Sequence, residues 1–194
     1  CVHLETDSGA AFSDDCVLGM TNCEATCECQ SAYHGSTCSM VAEDYEAKKG
    51  IRETLLNTMK TVVQGDDTSE DAIEGWLMSL NGMATSKQEM SEAASTIALD
   101  LAEYILSNAE TMKVPYSVVV DLLKAVDVAN EAGAGAGVSS TRTNAILTAF
   151  NEYVAENVLE GQAAVTSIQG SFRSSTEVLS GDGAAVSSSV PLTD

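Results

Sequence analysis

The sequence predicts a small disulfide-rich module, then a mainly α-helical domain of the bundle type, and a short β element near the C-terminus. Three observations predict this fold class. All six cysteines lie within residues 1–38. Beyond residue 41, apolar residues recur at helical spacing, and the last part of the chain places β-branched residues between glycines. The predicted segments are 1–40, 41–160 and 161–194.

The net charge of the chain limits the classes of molecule that it can bind. Twenty-nine acidic residues against nine basic ones give a formal net charge of −20. Phosphate backbones need clustered Lys and Arg, so nucleic acid is excluded as a partner. No run of 18 apolar residues is present, and no membrane insertion is expected within the segment. The expected partners are other protein modules or copies of the chain itself, and the acidic surface leaves attraction to cations or to a basic partner open.

The cysteines predict the compartment. A dense, even-numbered set is typical of three disulfides made in an oxidising environment, so we expect an extracellular or cell-surface location. A segment as short as residues 1–38, with few large apolar side chains, cannot bury enough surface to fold without crosslinks. The chain begins directly on Cys1, which indicates a processed product or a piece of a larger protein.

The last cysteines form a recognisable motif. Cys27, Cys29, Gly35 and Cys38 match the pattern C-x-C-x5-G-x2-C, and Tyr33 occupies the aromatic position two residues before the glycine. This pattern resembles an EGF-like module, and the short spacings are most similar to the tenascin type. The resemblance implies the disulfide pairs Cys1–Cys23, Cys16–Cys27 and Cys29–Cys38.

The module departs from the family at two points, and its metal content is a separate question. The loop between Cys1 and Cys16 is longer than usual, and Ala32 stands where a glycine is common. Cys27, Cys29 and His34 lack the paired knuckles of a zinc site, so no metal is predicted. The acidic signature that calcium-binding EGF-like modules carry before the first cysteine is not in this sequence, and calcium is left open.

The first two predicted helices are amphipathic. The first ends at Gly65–Asp67, and the second is capped by Thr68 or Ser69. Trp76 fits the periodicity of the second helix and is predicted to be a core residue. One stripe of the first helix carries Tyr45, Ile51, Leu55, Met59 and Val62, and one face of the second carries Ile73, Trp76, Leu77, Leu80 and Ala84.

Three further helices complete the predicted bundle of four or five. Ser86–Glu89 reads as a capping box that opens the third helix, and Pro115 fits the first turn of the fourth. Residues 132–137, AGAGAG, predict a flexible link before a fifth helix that starts at Ser139–Ser140. The inward residues are Met90, Ala94, Ile97, Leu101, Tyr104 and Ile105, then Val118, Val119, Leu122, Leu123 and Val126, then Ile146, Leu147, Phe150, Tyr153, Val154 and Val158.

Beyond Gly161 the pattern predicts one or two strands, with a turn at Gly181–Gly183 and a terminal tail, SSSVPLTD. Isolated hairpins are only marginally stable, so we expect these strands to need a partner sheet or a helical surface.

No catalytic site is predicted. The two histidines, His3 and His34, both lie in the cysteine-rich module, and oxidised cysteines cannot serve as nucleophiles. The chain has no nucleophile elbow, P-loop or dinucleotide-binding glycine motif. The acidic cluster Asp66, Asp67, Glu70 and Asp71 stands at a helix start, where negative charge stabilises the helix dipole. We therefore expect a non-enzymatic protein without a cofactor.

The arrangement of the whole chain resembles a known type of ectodomain. Arg52, Leu55 and Leu56 form R-x-x-L-L after the module, and LEGQ at 159–162 begins the β-like part. This order is similar to the helical subdomain of GAIN-type and REJ-containing ectodomains, in polycystin-like proteins and adhesion receptors, and to algal surface proteins including mastigoneme components. The self-cleavage motif of that family is not carried over, since Glu5 follows His3-Leu4.

These observations lead to one functional hypothesis and two alternatives. The chain is expected to be a structural or adhesion segment of a larger surface or filament protein, acting through protein–protein contacts. One alternative is an ectodomain fragment of a GAIN/REJ-type receptor, followed in its gene by a transmembrane span. The other is a secreted EGF-like ligand that ends near residue 194.

Overall fold

The computed structural model describes residues 2–5, 23–26, 29–35, 37–133, 139–158, 163–178 and 185–191. The chain divides into two compact units, Cys1–Lys49 and Gly50–Asp194, and the division falls within the first helix. The segment boundaries predicted at 40/41 and 160/161 stay predictions.

Among its described residues, the first unit contains two short antiparallel strand pairs, the second of which is a hairpin. Strand β1 (Val2–Glu5) pairs with β2 (Cys23–Thr26), and β3 (Tyr33–His34) pairs with β4 (Met40–Val41). A disulfide joins Cys29 to Cys38 across this hairpin.

Gly35 makes the turn of that hairpin possible. Its φ is +87°, a value that side chains with a Cβ rarely adopt. A Cβ at this position would also meet Cε of Met40. The backbone conformation favours glycine here, whereas the methyl group of Met40 is the end of a flexible side chain and could move aside.

The chain is mainly helical, as predicted, and the described ranges hold six α-helices where four or five were expected. Their bounds are α1 Ala42–Gly65, α2 Glu70–Met83, α3 Glu92–Met112, α4 Tyr116–Val119, α5 Leu122–Gly133 and α6 Ser139–Asn157, with a 3-10 turn at Lys87–Glu89.

Helix α3 lies at the centre of the second unit and packs against α2, α5 and α6. Alanines recur along its buried side and let neighbouring backbones come close; they are Ala94, Ala98, Ala102 and Ala109. Ser95 uses this close approach to donate its hydroxyl proton to the carbonyl of Ala129 on α5. The inward faces predicted for α2 and α6 are confirmed, since all their named residues are buried.

The predicted capping box is wrong. The side chain of Ser86 makes no capping hydrogen bond, and Ser91 caps α3 instead by accepting from the N–H of Ala94 at 3.0 Å. The physical reason is the position of Glu89, which is buried and pairs with Arg52 across the bundle rather than reaching back to Ser86. Lys87–Glu89 form a 3-10 turn that follows Ser86.

The predicted fourth helix is divided in two. Pro115 caps α4 rather than lying in its first turn, and α4 ends after one turn at Val119. The N–H of Leu123 then bonds the carbonyl of Val120, a tight turn after which α5 begins at Leu122. The first two residues of the predicted link, Ala132 and Gly133, belong to α5, and residues 134–137 lie outside the described residues.

The C-terminal part forms a three-stranded antiparallel sheet in the order β5-β6-β7, with β5 at Val165–Ile168, β6 at Phe172–Val178 and β7 at Ala185–Pro191. One or two strands were predicted, and SSSVP was assigned to a tail. Residues 187–191 instead pair with β6, which supplies the backbone partners that a tail would lack. The predicted turn at Gly181–Gly183 lies outside the described residues.

Helices α5 and α6 provide the surface that the sheet needs. Phe172 is buried within the helical core, and Ser174 and Thr176 donate to Oδ1 of Asn151 at 2.5 and 3.0 Å. At the β5–β6 turn, the carboxylate of Asp127 accepts from the N–H and the hydroxyl of Ser171 at 2.8 and 2.6 Å. The sheet is thus attached by one aromatic side chain and a set of directed hydrogen bonds.

Replacement of Tyr153 by phenylalanine is expected to leave the free energy of unfolding at pH 7 unchanged or to raise it by about 1 kcal/mol. The buried hydroxyl of Tyr153 has no hydrogen-bond partner among the described residues, so removing it relieves an unsatisfied polar group. Thr143→Val is the contrasting control. It deletes a 3.0 Å hydrogen bond to Asn130 and should cost about 1 kcal/mol in urea unfolding.

The Tyr153→Phe substitution should also change the way in which stability depends on pH. Burial, followed by the charge of Glu70, raises the pKa of Tyr153 above its ordinary value. The folded state therefore holds this proton more tightly than the unfolded state, whose tyrosines titrate near pH ~10. The resulting stability is complete below that pH and is lost as pH rises through the raised pKa. Tyr153→Phe should show a shallower alkaline loss of stability than the wild type, and parallel curves would contradict this assignment.

Candidate functional site

Helix α1 carries two apolar stripes, and only one of them is covered. Leu56, Met59 and Val63 are buried against the helical core. Ile51, Leu55 and Val62 remain 60%, 48% and 57% exposed, although the sequence grouped them with Met59 on one stripe. The stripe that the helix turns to the core is the neighbouring one, which includes Leu56 and Val63.

The charged residues of α1 between 50 and 65 all bind the body of the second unit. Arg52 donates to Oε2 of Glu89 at 2.5 Å and to the carbonyl of Met83. Glu53 accepts from the hydroxyl of Ser91 at 2.7 Å. Lys60 pairs with Asp100 on α3. The exposed residues of this stretch are therefore all uncharged.

The threonines on the exposed side need no hydrogen-bond partner from outside. The hydroxyls of Thr54, Thr58 and Thr61 donate to the carbonyls one turn earlier, at 2.9, 2.8 and 3.1 Å. A surface packed against them can therefore be apolar without leaving these hydroxyls unsatisfied. We call the exposed set the outer face of α1; its members are Ile51, Thr54, Leu55, Thr58, Thr61 and Val62.

The outer face differs from the exposed surfaces of α3 and α6. Exposed positions on α3 include Glu92, Glu103 and Glu110, and those on α6 include Glu152 and Glu156. An apolar, uncharged strip on a chain of net charge −20 is what a protein-contact surface requires.

A cavity of about 390 Å³ lies between α1, α3 and α6 and is the alternative candidate site. Its charged groups are engaged with one another: Lys60 pairs with Asp100 at 2.5 Å, and Arg142 pairs with both Asp100 and Glu103. Burial works to lower the pKa of Arg142, but hydrogen bonds and the charges of Glu103 and Asp100 outweigh it and raise that pKa. This network holds the three helices together rather than presenting net charge to a ligand.

The structure places the predicted module residues as follows. Cys29 and Cys38 form a disulfide with a Cα–Cα distance of 5.2 Å, and Gly35 and Tyr33 lie in the turn and strand between them. His34 stacks on Tyr45, with ring centroids 4.8 Å apart. The side chain of Cys23 and all of Cys1, Cys16 and Cys27 lie outside the described residues, so the remaining pairs stay predictions.

The other residues that the sequence singled out have structural roles. Trp76 is confirmed as a core residue, and its Nε1 donates to Asp66 at 3.2 Å. Ser69 caps α2 by accepting from Ala72, and Glu70 and Asp71 occupy the first turn. Among the described residues, no three His, Cys, Asp or Glu side chains lie close enough together to hold a metal ion.

No family model matches the chain, and no curated protein matches it. The EGF-like and GAIN/REJ resemblances therefore stay predictions. Within the described ranges, none of the helices combines the length and the apolar character that crossing a bilayer requires.

Proposed function

We propose that the chain is a non-enzymatic structural or adhesion segment of an extracellular surface or filament protein, and that it acts through protein–protein contacts on the outer face of α1. The observation that carries this proposal is the exposure of Ile51, Leu55 and Val62 on a strip whose exposed residues are all uncharged. An exposed apolar strip of this kind is stabilised when a partner removes it from water.

The cysteines support the extracellular part of the proposal. Six cysteines confined to the first 38 residues, with Cys29 and Cys38 joined, are typical of modules made in an oxidising compartment. The resemblance to EGF-like modules points to the same compartment. Such modules serve as spacers and docking faces in surface proteins.

Hydroxyl-radical footprinting tests the proposal by comparing the protein in its native assembly with the purified chain. Ile51 and Leu55 should be oxidised several-fold more slowly in the native assembly than in the purified chain. Met78 on α2 is 70% exposed and lies off the outer face, so it provides an internal control. Equal oxidation of Ile51 and Leu55 in both samples, with Met78 also unchanged, would contradict the proposed contact surface.

A further inference from the structure

We propose that the cavity between α1, α3 and α6 binds a neutral, polyhydroxylated ligand, the chemistry that a sugar ring presents. The cavity lies on the inner side of α1 and is separate from the outer face, so this inference does not depend on the proposed function. Three properties of the cavity carry it: its size, the cancellation of its charges, and the close pairing of hydrogen-bond donors with acceptors.

The cavity exists because α1 stands back from α3. The backbones of α2, α5 and α6 approach α3 closely, whereas α1 reaches it through long side chains. Lys60 spans this space to bind Asp100 at 2.5 Å, and Arg142 reaches the same carboxylate from α6. The resulting space of about 390 Å³ is within the range of small-molecule sites in proteins, roughly 300–1,000 Å³.

The charges that line the cavity cancel. Lys60 and Arg142 supply two positive charges, and Asp100 and Glu103 supply two negative ones. An anionic ligand would be repelled by a chain of net charge −20. A cationic ligand would meet carboxylates that are already paired with Lys60 and Arg142. A neutral ligand avoids both costs, because it brings no charge that would need a partner.

An apolar ligand does not suit the cavity either. Among the described residues, two of the nine that line it are apolar, Val63 and Leu101. The others carry polar groups, and an apolar ligand would take water from these groups without replacing its hydrogen bonds. A ligand that displaces this water must therefore bring several hydrogen-bonding groups of its own.

Hydroxyl groups match the arrangement of donors and acceptors. A hydroxyl both donates and accepts, and here the carboxylates of Asp100 and Glu103 lie beside the N–H groups of Lys60 and Arg142, with Arg142 and Glu103 2.7 Å apart. A carboxylate accepts about four hydrogen bonds and a guanidinium donates five, more than these ion pairs use. Neighbouring hydroxyls of one sugar ring can thus each meet a donor and an acceptor.

The cavity is organised before a ligand arrives. Its ion pairs hold the charged side chains in place, which lowers the cost of ordering them on binding. Tyr104 adds an aromatic ring to the wall and packs against Trp76, with ring centroids 6.2 Å apart. The C–H groups of a sugar ring pack well on the negative face of an aromatic ring. Since the Lys60 and Arg142 side chains remain 36% and 33% exposed, we expect weak binding, with a Kd of about 1 mM.

Amide NMR spectra of the isotope-labelled full chain test the proposal. The probes are methyl β-D-glucopyranoside, methyl β-D-galactopyranoside and methyl α-D-mannopyranoside. At least one should give saturable shifts confined to residues around Lys60, Asp100–Ser107 and Arg142. The uronide of the sugar that binds, in which a carboxylate replaces the primary alcohol, should bind at least about threefold more weakly.

Glu103→Gln tests the charge of the cavity. It leaves the cavity with one net positive charge while Arg142 keeps its pair with Asp100. The preference for the neutral sugar over its uronide should then fall at least about threefold. Glu152→Gln is the matched control, since it changes the total charge equally on an exposed part of α6 outside the cavity, and the preference should stay as in the wild type. Thermal unfolding shows whether both variants are folded.

The outcomes that would overturn the proposal are distinct. No saturable shift with any of the three sugars would reject a sugar site in this cavity. A uronide that binds the wild type more tightly than the neutral sugar would reject a neutral ligand, and this comparison needs no variant. An equal loss of preference in Glu103→Gln and Glu152→Gln would show an effect of total charge and would reject the cavity as the site.

Discussion

Replacement of Arg52 by methionine is expected to lower the free energy of unfolding by about 3–5 kcal/mol. The guanidinium is mostly buried and binds both the carboxylate of Glu89 and the carbonyl of Met83. Its removal leaves the Glu89 carboxylate without this cation at a site only 6% exposed. Removing one partner of a buried ion pair costs far more than the loss of one hydrogen bond at the surface. Urea unfolding followed by circular dichroism measures the change.

The double variant Arg52→Met with Glu89→Met measures what the ion pair contributes to the free energy of unfolding. The single variant measures instead the loss of stability when one partner is removed. We expect it to recover most of the loss, because apolar side chains of similar size can replace a buried ion pair with little penalty. The Nε of Arg52 is buried without a hydrogen-bond partner among the described residues, so the native pair is itself incompletely satisfied. A double variant as unstable as Arg52→Met would contradict this account.

An exposed ion pair provides the control. Lys124 and Asp121 lie on the surface, with side chains more than half exposed, and Lys124→Met should change the stability by less than about 1 kcal/mol. Arg52→Met also leaves the outer face of α1 unaltered in sequence. Its effect should therefore appear in the stability of the fold and not in the residues that the outer face exposes.

Replacement of Phe172 by alanine is expected to cost about 3–5 kcal/mol. Phe172 is 1% exposed and is the one large aromatic residue that the described part of β6 contributes to the helical core. Its truncation opens a cavity where the sheet meets the helices. The remaining attachment would then depend on the polar contacts of Asn151 and Asp127, whose net worth in water is modest. Chemical unfolding, with amide exchange of β6, measures the loss.

Ile168→Ala is the matched control for this prediction. Ile168 belongs to β5 of the same sheet but is 64% exposed, so its truncation should stay within about 0.5 kcal/mol of the wild type. Similar stabilities for the Phe172 and Ile168 variants would show that the sheet does not share the helical core.

Helical periodicity predicted the buried residues correctly in the helices that have a single apolar face. All the residues named for α2 and α6 are buried, since a single stripe leaves no choice of orientation. Helix α1 has two adjacent apolar stripes, and periodicity alone cannot say which one the bundle covers. The three apolar residues left outside, together with Thr54, Thr58 and Thr61, form the outer face, a surface that periodicity alone did not distinguish.

Local motifs predicted less well, because distant partners competed for the same side chains. The capping box at Ser86 fails since Glu89 is drawn to Arg52. The terminal serines were assigned to a tail, yet they form a strand because β6 offers them a backbone partner. Neither partner is close in sequence, so neither could be included in a local pattern.

By itself, the sequence determined the acidic character of the chain, the crosslinked start, the mainly helical body and the β character of its end. These are properties of composition and of short-range periodicity. Only the tertiary structure decided which stripe of α1 is buried, where Arg52 and Lys60 direct their charges, and how the sheet is attached through Phe172. The physical reason is that burial is a property of contacts between segments far apart in the chain. An apolar stripe shows that a surface needs covering, and the fold determines which surface is still uncovered.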